Sequence, residues 1–179
     1  MNFKIMFALI ALMGATRMHH FGGAFSLPDA SLAVFFLAGL FLNSRIFFAA
    51  LLVQAGLLDY VAIAQFNVSD FCISPAYVFL IPTYFAMWFA GRFSSSFKSI
   101  SVLTTLLIAT SSAFLISNMS FYFLSDKTAA TDLLPYVMQT THYYLPYTGY
   151  ALMYSIFGVA FFNTTKWLEI KFFQMPSHS

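Results

Sequence analysis

Charge is what this chain lacks. Only 8% of its 179 residues are Asp, Glu, Lys or Arg, where soluble domains carry about a quarter. With 60% of residues hydrophobic, too few charged groups remain to cover a water-facing surface, which predicts an integral membrane protein. The formal net charge of +2 is small and no basic run is present, so charge gives no reason to expect a nucleic-acid partner. A single cysteine, Cys72, excludes an internal disulfide framework. There is no internal repeat, low-complexity tract or long linker. No nucleotide loop, zinc spacing or Gly-rich phosphate cradle occurs either, so the chain carries no ATPase of its own.

What is abundant is apolar sequence, and it falls into six segments of one transmembrane domain spanning residues 1–179. They run over about Phe3–Ala15, Pro28–Leu42, Ile46–Phe66, Pro75–Ala90, Ile100–Leu124 and Pro146–Thr164; a spanning helix needs about 20 residues, or somewhat fewer where flanking residues snorkel, and the first of these is short. The first segment has a signal-peptide look, but Met13 would occupy the −3 position of the cleavage site, so an uncleaved helix is expected. The stretch LLPYVMQTTHYYLP before the last segment carries two prolines and either lies in the interface or extends the sixth helix with a kink. With the N-terminus inside, Lys4, Arg45, Arg92, Lys98, Lys166 and Lys171 are cytoplasmic and only Arg17 and Lys127 are outside. That bias predicts an all-α bundle with both termini in the cytoplasm.

This orientation gathers the reactive side chains on one face. The outer connections read TRMHHFGGAFSLPDAS, NVSDFCISP and SDKTAATDLLPYVMQTTHYYLP. They hold Cys72, three of the four histidines, Asp29, Asp70, Asp126 and Asp132. The inner connections LNSR and GRFSSSFKS are chemically plain.

Each of these groups has two readings. Ser26-Leu-Pro-Asp29 is a variant capping box with proline in the first turn, so Asp29 reads first as a capping carboxylate. Ser74-Pro75 repeats the cap-and-proline pattern for the fourth helix. Cys72 stands just before that helix, where the local dipole favours a thiolate, a soft donor for transition metals; a small inert hydrophobe is the alternative. His19 and His20 are adjacent, so one can meet a ligand while the other faces headgroups. Gly22-Gly23 permits a tight turn or close backbone approach. His142, Tyr143 and Tyr144 either roof a cavity or form an interfacial aromatic belt. Asp59, inside the third helix, is expected to face the bundle interior or a polar pocket, with Gln54 a candidate neighbour. Ala11 and Ala15 form a small-xxx-small pair suited to close helix contact. The 24 Phe, 10 Tyr and 2 Trp suit a large flat apolar ligand or a lipid-facing surface equally well.

TRMHHFGGAFSLPDASLAVFFLAGLFL and DFCISPAYVFLIPTYFAMWFAGR resemble the BtuM-like, cobalamin-specific substrate-binding proteins (S-components) of energy-coupling-factor transporters. The resemblance covers two motifs and a compatible six-helix layout; the C-terminal third adds little. It implies a six-helix bundle with an outward-facing pocket for cobalamin in a bacterial inner membrane. By the same resemblance Cys72 maps onto the family's cobalt ligand. Ala11 and Ala15 map onto the small residues presented to a transmembrane coupling protein, and His19, His20 and Asp29 onto the pocket mouth. Phe71, Tyr77 and Tyr84 are placed to meet the corrin edge. The implied partners are an energising module of coupling protein plus two ATPases, or none if the chain works alone, and delivery would follow rigid tilting of the bundle. Two other chemistries compete with this one. A membrane thiol enzyme of exosortase-like type would use Cys72 as nucleophile, His142 or His19 as base and Arg17 as an oxyanion partner. A haem protein is weaker, because the outer histidines lie at helix ends.

Overall fold

The computed structural model of the chain describes residues 3–17, 27–66, 74–94 and 99–173. Among these it is all-helical: α1 (Phe3–Arg17), α2 (Ser31–Phe41), α3 (Arg45–Phe66), a 3-10 stretch (Pro75–Phe79) leading into α4 (Leu80–Ser94), α5 (Ser99–Leu124), a 3-10 turn (Asp126–Thr128) and α6 (Leu133–Phe173). Three of these helices, α3, α5 and α6, are long and apolar enough to cross a membrane.

The short α2 forms the centre. Eight of its eleven residues are buried, and a helix apolar all round must be buried to be stable as such. It ends where Asn43 takes the left-handed conformation at φ 46°, the usual way to stop a helix without glycine. The Ser44 hydroxyl then accepts from the Phe47 amide at 3.3 Å and starts α3.

Between lipid-facing helices the hydrophobic effect gives no net drive, so backbone proximity and polar contacts must hold the bundle. The α2–α4 contact does this at two glycines. A Cβ on Gly39 would run into the Trp88 carbonyl, and one on Gly91 into the Phe36 carbonyl. The two backbones therefore touch with no side chain between them. Around this contact Phe35 stacks on Tyr84 at 4.3 Å and meets Phe48 edge-on at 5.5 Å. Part of the aromatic stock is thus core, while Phe7, Phe85, Phe89, Phe157 and Phe161 point outward.

The sequence boundaries need three corrections. Helix α2 opens at Ser31, so Pro28 lies outside it rather than in its first turn. The fourth helix opens as a 3-10 stretch, because Pro82 has no N–H for the carbonyl one turn back and its ring crowds that carbonyl. Helix α6 begins at Leu133, thirteen residues before Pro146: Pro135 falls in the first turn, where no donor is required, and Pro146 leaves only the His142 carbonyl without its helical partner.

Candidate functional site

The ends of α1, α2, α3 and α4 meet around one guanidinium. Arg17, the last residue of α1, is buried. Its Nε donates to Asp59 Oδ1 at 2.6 Å and its Nη2 to Asp59 Oδ2 at 2.6 Å. This fork-to-fork pairing is the strongest form of side-chain ion pair. Nη1 turns the other way, donating to the Ser31 hydroxyl at 2.8 Å and the Tyr84 hydroxyl at 2.7 Å. Asp29 Oδ2 lies 3.5 Å from the same nitrogen.

The surrounding groups close the network. Tyr77 donates its hydroxyl to Asp59 Oδ2 at 2.6 Å. Asp29 Oδ1 accepts from the Ser31 amide at 2.9 Å and the Ser31 hydroxyl at 2.6 Å. The Ala30 amide donates to the Thr16 hydroxyl at 3.2 Å, and Tyr154 of α6 donates to the Pro28 carbonyl at 3.0 Å. One cation thus faces two carboxylates, leaving a net negative charge. The Asp29 side chain is 23% exposed and that of Asp59 14%, so the carboxylates form the more open side.

Local sequence explains the arrangement. Arg17 caps the C-terminal end of α1, where a cation complements the helix dipole. Asp29 does serve an N-terminal amide, as its capping reading expected. It does so from one residue before Ala30, the residue at the cap position, which has no side-chain cap of its own. Asp59, an acid placed in an apolar helix, finds its partner in the bundle interior, the usual fate of such a residue.

Gln54 is not its neighbour. Five positions apart on a helix means about 140° of rotation, and the Gln54 amide instead donates to the Ile10 carbonyl of α1 at 2.9 Å. Ser74 precedes the proline as expected but makes no side-chain cap bond.

Of the residues singled out from sequence, Arg17, Asp29, Asp59, Tyr77 and Tyr84 come together here. His142 and Tyr143 are exposed on α6, and none of the bonds of the Arg17 cluster reaches them. Tyr144 turns inward, sharing a hydrogen bond with Ser111 at 2.7 Å. Ala11 and Ala15 are exposed on α1. Cys72, Phe71, His19 and His20 lie outside the described residues. Among the described residues no group of three or more His, Cys, Asp or Glu side chains could hold a metal ion.

Sequence reasoning missed that Arg17 and Asp59 pair. Each was a visible signal alone, a lone base and a lone acid at the same depth of an apolar bundle. Compared with known proteins, the chain matches no family model and no curated protein.

Proposed function

We propose that the chain is a substrate-binding membrane subunit that captures cobalamin, or a related corrinoid, at the outer end of its bundle for uptake across a bacterial inner membrane. In this reading it has six spans with both termini in the cytoplasm, and α1, α2 and α4 are short spans packed among the long ones. The observation that carries it is the Arg17 network. Arg17 and Asp29 flank residues 18–26, which contain His19 and His20, and Tyr77 follows residues 67–73, which contain Cys72. The anchor points of both reactive connections are therefore tied to one polar centre at one end of the molecule. A thiolate there would serve as an axial ligand to the cobalt, a role suited to a soft donor. The partly exposed Asp29 carboxylate suits the amide-bearing rim of a corrinoid.

The exposure of Ala11 and Ala15 supports a partner packing on α1, as a coupling protein would. The thiol-enzyme reading has less support. It needs the Arg17 guanidinium as an oxyanion partner, and Nε, Nη1 and Nη2 of that group are each already engaged.

Purification from cells supplied with cobalamin tests the proposal. The protein should be red, and Cys72→Ser should shift the visible spectrum of the bound corrinoid and weaken its retention by about ten-fold or more, the effect of losing a metal ligand. Colourless wild-type protein would end the reading, and an unchanged spectrum in the variant would remove Cys72 from the site.

A further inference from the structure

At the end of the bundle opposite Arg17, a hollow of about 540 Å³ lies between α2, α5 and α6. Its walls are mostly apolar, with Phe36 from α2, Val102 and Leu106 from α5, and Ile156 and Val159 from α6; the buried Ser155 hydroxyl and Asn163 supply its polar groups. Helices α2 and α6 touch at two places along this stretch: a Cβ on Gly158 would press on the Leu37 side chain, and the Phe41 and Phe162 rings lie 4.2 Å apart. Apolar surfaces that face a void forfeit their dispersion contacts. An occupant is therefore favoured.

Two features define that occupant. The first is shape. An α-helix about 10–12 Å across would fill this volume with little more than one turn, too little to dock. A hydrocarbon chain is thin enough to run along the roughly 12 Å of α6 between Ser155 and Asn163. Both α5 and α6 are helices apolar enough to cross a membrane, so hydrocarbon is the solvent around the hollow.

The second feature is charge. This end of the bundle carries the start of α1 with Lys4, the start of α3 with Arg45, the last turn of α4 with Arg92, and the end of α6 with Lys166 and Lys171. The one acid at this end is Glu169. Such a basic end of the bundle attracts anionic lipid headgroups.

We propose that this hollow is a binding site for an anionic phospholipid, with one acyl chain lodged between α2, α5 and α6 and the headgroup held at Asn163 and the basic helix ends. The site is independent of the polar centre at the other end and of what binds there. The test uses the full chain in nanodiscs of equal phosphatidylglycerol and phosphatidylcholine. The lipid that stays bound on transfer to detergent should be enriched about five-fold or more in phosphatidylglycerol, as expected where several basic residues act together. A phosphatidylglycerol with a photoreactive acyl chain should crosslink mainly to residues 102–106 and 155–163, and Val159→Trp, which fills the hollow, should reduce that crosslinking several-fold. Equal retention of the two lipids, or crosslinks spread evenly over the exposed faces of α3 and α4, would overturn the proposal. So would a folded Val159→Trp variant that crosslinks as before. Should that variant fail to fold, the crosslink map of the native chain decides.

Discussion

Asp59 divides its carboxylate between Arg17 and Tyr77, and Arg17 divides its guanidinium among both aspartates, Ser31 and Tyr84. Removing one member leaves the others buried with their bonds unmade, and the cost depends on whether the orphan is charged. Arg17→Gln or Asp59→Asn should therefore destabilise the protein by about 3–5 kcal/mol, since each strands a buried charge. Tyr77→Phe removes one hydrogen bond and should cost about 1 kcal/mol. The double variant Arg17→Gln/Asp59→Asn should recover part of the loss, because it removes both charges together. Unfolding in detergent, followed by circular dichroism, gives the ranking; equal small losses throughout would mean that water screens the pair. From sequence, Asp59 was legible as a residue in need of a partner. The identity of the partner was not, because Arg17 lies 42 positions away and nothing in local periodicity connects them. Gln54 was the nearest polar residue along the chain, but it faces another helix.

At the scale of elements, the fold turns on the glycines of α2 and α4. Gly39→Leu and Gly91→Leu should each prevent assembly, because the added atoms meet backbone that cannot move aside. Gly56→Ala supplies the control. No atom lies within 4 Å of its would-be Cβ, and alanine in a helix interior should be neutral or stabilise by about 0.5–1 kcal/mol. Yield of monodisperse protein after membrane extraction separates the cases, and a well-folded Gly39→Leu would contradict the backbone contact. The six apolar segments were legible because hydropathy registers helices directly. Which small residues mark a contact was not: Ala11 and Ala15 formed the recognisable pair yet face outward, while Gly39 and Gly91 stand on different segments and pair only once the bundle forms. Helix α6 shows the opposite limit. The two prolines left open whether this stretch lies in the interface or extends the helix; the structure extends it, with Pro135 in the first turn, where no donor is needed, and Pro146 inside the helix.

For the molecule as a whole, the charges separate by end. Six bases and one acid belong by chain position to the end that starts α1, and two bases and five acids to the other. If that asymmetry sets orientation in the membrane, a cysteine introduced at Lys127 should react with an impermeant thiol reagent in intact cells, and one introduced at Ser44 should react only after the membrane is opened. These labelling assays would be run in a Cys72→Ser background; the reverse pattern would invert the topology.

Helix α6, at 41 residues, has a length of about 61 Å, roughly twice the hydrocarbon thickness of a bilayer. The joint between α2 and α4 bears on motion. Because those two helices meet main chain against main chain, neither can slide along the other without first prising the pair apart. A load on α2 therefore reaches α4 through main chain, with no side chain between them to re-pack and absorb it.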